Sequence, residues 1–205
     1  MTSFSKASWL MLSLGAFFVI LGPLPTGAYP QPCRFARQYE GHRFQSSYFD
    51  VKHDYVAVDC DRKLMYTRSV GEKEENSFTI VNLATNVMYI FNQGRECIET
   101  AGRPFELINY CENSRDATFT GEMTLEGKVR QGWVTTNPQH YEQTTVVTPS
   151  KKSGEGCLPF LFRVRTDRHT LMANTFYDVK TGISDTDVVD RFDVDTLECA
   201  RYGYV

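Results

Sequence analysis

The sequence lacks most of the patterns that mark chemistry. It contains no Cys-x-x-Cys pair, no Gly-x-Ser-x-Gly and no His-Glu-x-x-His, the spacings that build zinc or redox sites, nucleophile elbows and metalloprotease helices. Its four histidines, His42, His53, His140 and His169, are scattered through polar, turn-like surroundings, so surface positions are expected for them rather than a catalytic triad. No Asn-x-Ser/Thr acceptor occurs, and N-glycosylation is not expected. Basic residues are too few and too scattered for a nucleic-acid binder, which would carry a basic patch. The one cluster, Lys151-Lys152, sits beside Ser and Gly and reads as a solvated turn. Long hydrophobic runs are missing too. The apolar run from Trp9 to Leu21 is short of the ~20 residues that span a bilayer.

That run follows Lys6, the only charge in the first 28 residues, and precedes Pro23, Pro25, Thr26 and Ala28. The pattern predicts a secretory signal peptide over residues 1–28, a membrane anchor being the alternative that the run length disfavours. Residues 29–205 then form one domain, long enough to bury roughly 70% of its unfolded surface. This part has 21 basic against 25 acidic residues and all six cysteines. An even count in a secreted chain implies three disulfides, whose 15 possible pairings spacing alone leaves open.

Short strands separated by turns run along the whole mature chain. They are expected at Arg43 to Asp50, Tyr55 to Cys60, Lys63 to Arg68, Phe78 to Asn82, Val87 to Phe91, Glu96 to Ala101, Ala117 to Leu125, Lys128 to Thr135 and Gln143 to Thr148. Lys52-His53-Asp54 and Asp61-Arg62 read as turns, and Arg103 to Ser114 as a loop or short helix. The stretch from Gly156 to Ile183 carries the clearest pattern. Phe160, Phe162 and Val164 alternate with Leu161, Arg163 and Arg165, and then Met172, Asn174 and Phe176 alternate with Leu171, Ala173, Thr175 and Tyr177. Period-two patterning of this kind marks paired antiparallel strands with one face in a core. The fold class is all-β with minor α content. The tail from Ser184 to Glu198 is acidic and shows no long helical stripe.

Two candidate sites follow. Aromatics make up 13% of the chain, and Tyr89, Phe91, Trp133, Phe160, Phe162 and Phe176, with Leu171, fall on expected strands. They either fill an ordinary core or line a cavity that takes a hydrophobic ligand. The carboxylates Asp178, Asp185 and Asp187 flank the Gly182 turn and are the candidate calcium ligands, although neither the Asp178–Gly182 stretch nor Asp193-Val194-Asp195 has the pattern of an EF-hand loop. The alternative is a solvated acidic face. No catalytic residue can be nominated, and the chain reads as a non-enzyme.

Several landmarks, in order, resemble the ependymin family of secreted proteins. They are Pro32-Cys33 followed by Gln38-Tyr39-Glu40-Gly41, Val56-Ala57-Val58 with Asp61-Arg62-Lys63, Ala117-Thr118-Phe119-Thr120-Gly121, Gly156-Cys157-Leu158-Pro159, and Phe176-Tyr177-Asp178 with Gly182-Ile183 and Asp185. The likeness spans nearly the whole mature chain. It departs after Asp185, where Thr186, Val188-Val189 and acidic residues replace a proline-rich stretch, and Cys60 and Cys111 are extra to the common four-cysteine pattern. The resemblance implies two stacked, curved antiparallel sheets around a hydrophobic pocket, similar to bacterial lipoprotein carriers. It also implies lipid or fatty-acyl ligands, calcium association and a homodimer, in a secreted, extracellular protein with a lysosomal pool. By the same analogy Cys33 pairs with Cys157, Cys97 with Cys199 and Cys60 with Cys111. The competing expectation is a calcium-responsive adhesion protein that binds extracellular matrix and has a filled core.

Overall fold

A computed structural model describes residues 30–47, 50–71, 77–92, 96–101, 110–111, 116–136, 141–150, 154–165, 169–193 and 199–201. The expected signal peptide lies outside these residues, as do His140, Lys151-Lys152 and most of the Arg103–Ser114 segment. Residues rich in Val, Thr, Tyr and Phe form strands because branched and aromatic side chains pack well on a pleated surface. The strands are β1 (Gln38–Ser47), β2 (Val51–Asp59), β3 (Leu64–Ser69), β4 (Phe78–Asn82), β5 (Val87–Asn92), β6 (Glu96–Ala101), β7 (Thr118–Leu125), β8 (Lys128–Thr136), β9 (Glu142–Pro149), β10 (Cys157–Arg165) and β11 (Thr170–Thr181). A short helix, α1 (Thr186–Arg191), and a two-residue strand, β12 (Ala200–Arg201), complete the described elements.

The fold class is the expected one: antiparallel, almost all β. The strands hydrogen-bond in the order β12-β6-β5-β4-β3-β2-β1-β11-β10-β9-β8-β7. Two meanders, β1–β6 and β7–β11, therefore share one ladder, sealed where β1 pairs with β11 from Tyr39↔Thr181 to Ser47↔Met172. Among the described strands only β12 runs parallel to its neighbour, β6.

The alternation puts one side chain in two on the inner face, and side chains from both meanders form a single core there. Tyr39, Val56, Val58, Met65 and Val81 from the first meander cluster with Trp133, Val147, Phe162, Met172 and Phe176 from the second. Across β2–β4 the opposite face buries Ala57, Leu64, Tyr66, Phe78 and Ile80 under Val188 and Phe192 of the α1 segment. Both faces of these strands are thus covered, which accounts for the imperfect alternation of Tyr55 to Cys60.

Three disulfides brace this arrangement: Cys33–Cys157, Cys60–Cys111 and Cys97–Cys199. The first lies beside a parallel bridge between Phe35 and Cys157, where Ala36 N donates to Cys157 O and Cys157 N to Arg34 O. Gly156 permits that approach. Its φ is +79°, and a Cβ there would sit 2.7 Å from the Ala36 nitrogen, a conformation and a space only glycine accepts.

Four details differ from the sequence reading. β1 begins at Gln38, five residues ahead of the expected start at Arg43. Lys52-His53-Asp54 is strand, because β2 starts at Val51 and pairs with β1 throughout. A register shift between Pro159 and Leu161 breaks the alternation of β10, so Phe160 does not follow Phe162 into the core. It lies instead beneath the Arg130 guanidinium, 3.5 Å from ring centroid to Cζ. The tail contains α1, whose six residues are too short to show a stripe.

Candidate functional site

The inner face of β1–β5 and β11 lines a cavity of about 230 Å³ that opens to solvent. Alternation explains its lining. Met65, Val81, Met88, Ile90 and Met172 supply one apolar wall, and Gln45, Thr67, Ser77 and Thr79 make much of the remaining lining polar. Lys52, Ser69 and Asn92 form an exposed rim.

One charged pair lies within it. Arg43 and Asp54 face each other across β1 and β2, with Arg43 Nη2 donating to Asp54 Oδ2 at 2.7 Å and both side chains 7% exposed. Burial opposes the Arg43 charge, but the Tyr110 oxygen and the Asp54 carboxylate outweigh it and hold the guanidinium above its ordinary pKa. Tyr110 reaches the site from the segment that the Cys60–Cys111 disulfide fixes to the sheet. Its hydroxyl accepts from Asn174 Nδ2 at 3.0 Å and from Arg43 Nη1 at 3.4 Å, and its ring meets Phe162 and Phe176 edge-on. Tyr39, its own hydroxyl pushed well up by burial and then by Tyr110, donates to the Tyr110 carbonyl at 2.9 Å. Arg43 Nε and Asn174 Oδ1 are buried without a hydrogen-bond partner among the described residues. The cavity therefore joins a methionine-rich wall, which adapts to irregular apolar shapes, to a buried polar corner with hydrogen-bonding capacity to spare.

The seven positions expected to bind a ligand are dispersed. Trp133, Phe162 and Phe176 are fully buried in the main core. Tyr89 and Phe91 pack against the α1-side cluster, Phe91 stacking on Phe78 at 4.3 Å and also edging the cavity. Phe160 lies under Arg130. Leu171, half-buried, alternates with the inward Met172. Sequence reasoning missed Arg43, Asp54, Tyr110 and the three methionines. The available signal was a pair of opposite charges in phase with inward residues, Arg43 with Tyr39 and Asp54 with Val56 and Val58, but their meeting depends on a register that the sequence does not display.

The three candidate calcium ligands have separate settings. Asp185 caps α1, its Oδ1 accepting from the Asp187 and Val188 amides at 3.1 and 3.4 Å. Asp187 is exposed in the first turn of α1. Asp178 is an exposed residue in the left-handed region (φ +50°) of β11, where its pairing with β1 slips. Among the described residues no three His, Cys, Asp or Glu side chains come together as a metal site.

No protein-family model matches the chain, and no curated protein matches it significantly. Solved structures do. An uncharacterized conserved protein from Thermus thermophilus superposes with a TM-score of 0.52 at 9% identity, over 82% of this chain and 91% of that one. The likeness is one of fold. PNGF-II gives a TM-score of 0.41 at 12% identity over 82% of this chain, and MucB in the Pseudomonas aeruginosa MucA/MucB complex gives 0.44 at 9% over 77%. The chain spans 31% and 55% of those two chains. Three disulfides fit an oxidising compartment, extracellular or periplasmic, and among the described residues no helix is long and apolar enough to cross a membrane.

Proposed function

We propose that the protein is a non-catalytic carrier that takes a single apolar chain into the cavity on the inner face of its sheet. The observation that carries this reading is the methionine-lined cavity, closed on one side by the Arg43–Asp54–Tyr110 corner. Its volume, below the roughly 300–1,000 Å³ of drug-sized ligand sites, suits one acyl chain or a small apolar molecule better than a two-chain lipid. Apolar burial would drive binding at about 25 cal/mol per Å² before the costs of association. The landmarks that resemble the ependymin family support the same class of ligand.

Native mass spectrometry of the folded protein, followed by organic extraction, tests the proposal. A reproducible excess mass that extracts as lipid is the expected result. Met88→Trp, which places an indole in the cavity, should remove that mass while leaving the melting temperature within a few degrees. A bare polypeptide mass that mixed lipids do not change would overturn the reading.

A further inference from the structure

The outer face of the β2–β1–β11 seam carries a cluster that the cavity does not involve. His42 on β1, His53 on β2 and Tyr177 on β11 point to this face together with Phe44 and Tyr55. His42 lies directly across from Tyr177, and Phe44 from His53. The rings form a continuous layer: Phe44 stacks on His53 at 4.5 Å, His42 on Tyr177 at 5.3 Å, and Phe44 on Tyr177 at 5.4 Å. The Tyr177 hydroxyl meets Nε2 of His53.

We propose that His42 and His53 hold one borderline divalent transition-metal ion, Zn²⁺ or Cu²⁺, its remaining positions filled by water. Imidazole nitrogen is the ligand type these ions favour. The spacing fits: with metal–nitrogen bonds of about 2.0–2.1 Å, two imidazoles on one tetrahedral ion have ring centroids about 5–6 Å apart. The observed separation is 5.7 Å, with the rings inclined at 47°. Phe44 stacks on His53 and Tyr177 on His42, which narrows the freedom of both rings. Nδ1 of His42 is buried without a hydrogen-bond partner among the described residues, a ring nitrogen that a bound ion would engage. Charges of both signs surround the rings. Tyr55, at the edge of His42, donates to the Glu40 carboxylate, and Asp178 adjoins Tyr177. Of the cations around the cluster, Lys180 is paired with Glu40, Arg43 with Asp54 on the inner face and Lys52 with Asp50, while Arg68 lies over the Tyr55 ring, 5.5 Å from its centroid. The Tyr177 hydroxyl occupies Nε2 of His53 and must move aside for an ion to bind there.

The test is calorimetric titration of the purified full chain, free of any affinity tag, with zinc chloride and with copper chloride. One ion per chain is expected, copper the tighter. His42→Phe and His53→Phe keep the ring stack and should each weaken binding beyond the roughly 10–100-fold that loss of an outer-shell partner costs, while His169→Gln leaves it unchanged. Tyr177→Phe, which frees Nε2 of His53, should not weaken it. If neither metal binds, or if the double variant His42→Phe/His53→Phe binds as the wild type does with an unaltered melting curve, the site does not exist.

Discussion

Glu40 is the residue whose chemistry is most sharply set by its neighbours. Its side chain is 3% exposed, and burial alone would raise its pKa. Donation from Lys180 Nζ, the Ser184 hydroxyl and amide, and the Tyr55 hydroxyl outweighs burial and brings the carboxyl from 4.5 to about 2. Burial first, and then this same carboxylate, push the Tyr55 hydroxyl up. Because the folded value lies below the unfolded one, the stabilisation is complete above about pH 4.5 and is lost as pH falls through about 2, amounting to about 3 kcal/mol at most since Lys180 is exposed. Glu40→Gln should therefore lower stability at pH 7, and urea unfolding across pH should show wild type and variant converging towards pH 2. The Arg43–Asp54 pair behaves differently. Arg43→Met or Asp54→Leu alone strands a buried charge and should cost about 3–5 kcal/mol. The double replacement should recover most of that loss in a double-mutant cycle by urea unfolding. Neither cluster was legible in the sequence, because Glu40 and Ser184, like Arg43 and Tyr110, meet only through the folded sheet.

Strands were the most legible elements. Alternation located β3–β6 and β7–β11 to within two or three residues, because each is long enough to show period two and is bounded by turn residues. The bulges were illegible. The slip at Phe160 inserts one residue into an otherwise regular pattern and costs nothing that the sequence displays, so a reading by alternation carried Phe160 to the wrong side. Helix α1 was also unread, although Asp185 before Thr186 is a sequence-visible N-cap. That cap now has a definite structural role, which bears on the acidic tail. Asp185→Ala should cost about 1 kcal/mol and raise amide hydrogen exchange at Val188 and Val189 with or without added calcium. A loss confined to calcium-containing buffer would assign Asp185 to the ion instead.

For the molecule as a whole, the sequence conveyed class and cross-links better than arrangement. The all-β character and three disulfides were expected and are present, and their pairing is the one that the resemblance to the ependymin family implied. The single continuous ladder was not, because meanders follow from local hairpins while the β1–β11 seam joins opposite ends of the chain. Of the cross-links, Cys60–Cys111 is the one that bears on the cavity, since it holds Tyr110 against the sheet. Replacing both cysteines with Ala should cost about 4 kcal/mol on the chain-entropy account of a loop of this length. The near-ultraviolet circular dichroism of the Tyr110–Phe162–Phe176 group should weaken with it, and a variant that keeps both stability and that signal would show that Tyr110 needs no tether.

The seam between the meanders also sets an order of events while the chain is being made. The β1–β6 meander can assemble as soon as it emerges, and Cys60 and Cys111 are both present early, 51 residues apart. Yet β1 waits with an unpaired edge until β11 appears, and Cys33 waits across 124 residues for Cys157. Unpaired edges recruit other chains, and long-range pairing is slow. The growing polypeptide is therefore most vulnerable after its first half has folded and before its last long strand arrives, a window that oxidation of the early cysteines shortens for Tyr110 but leaves open for β1.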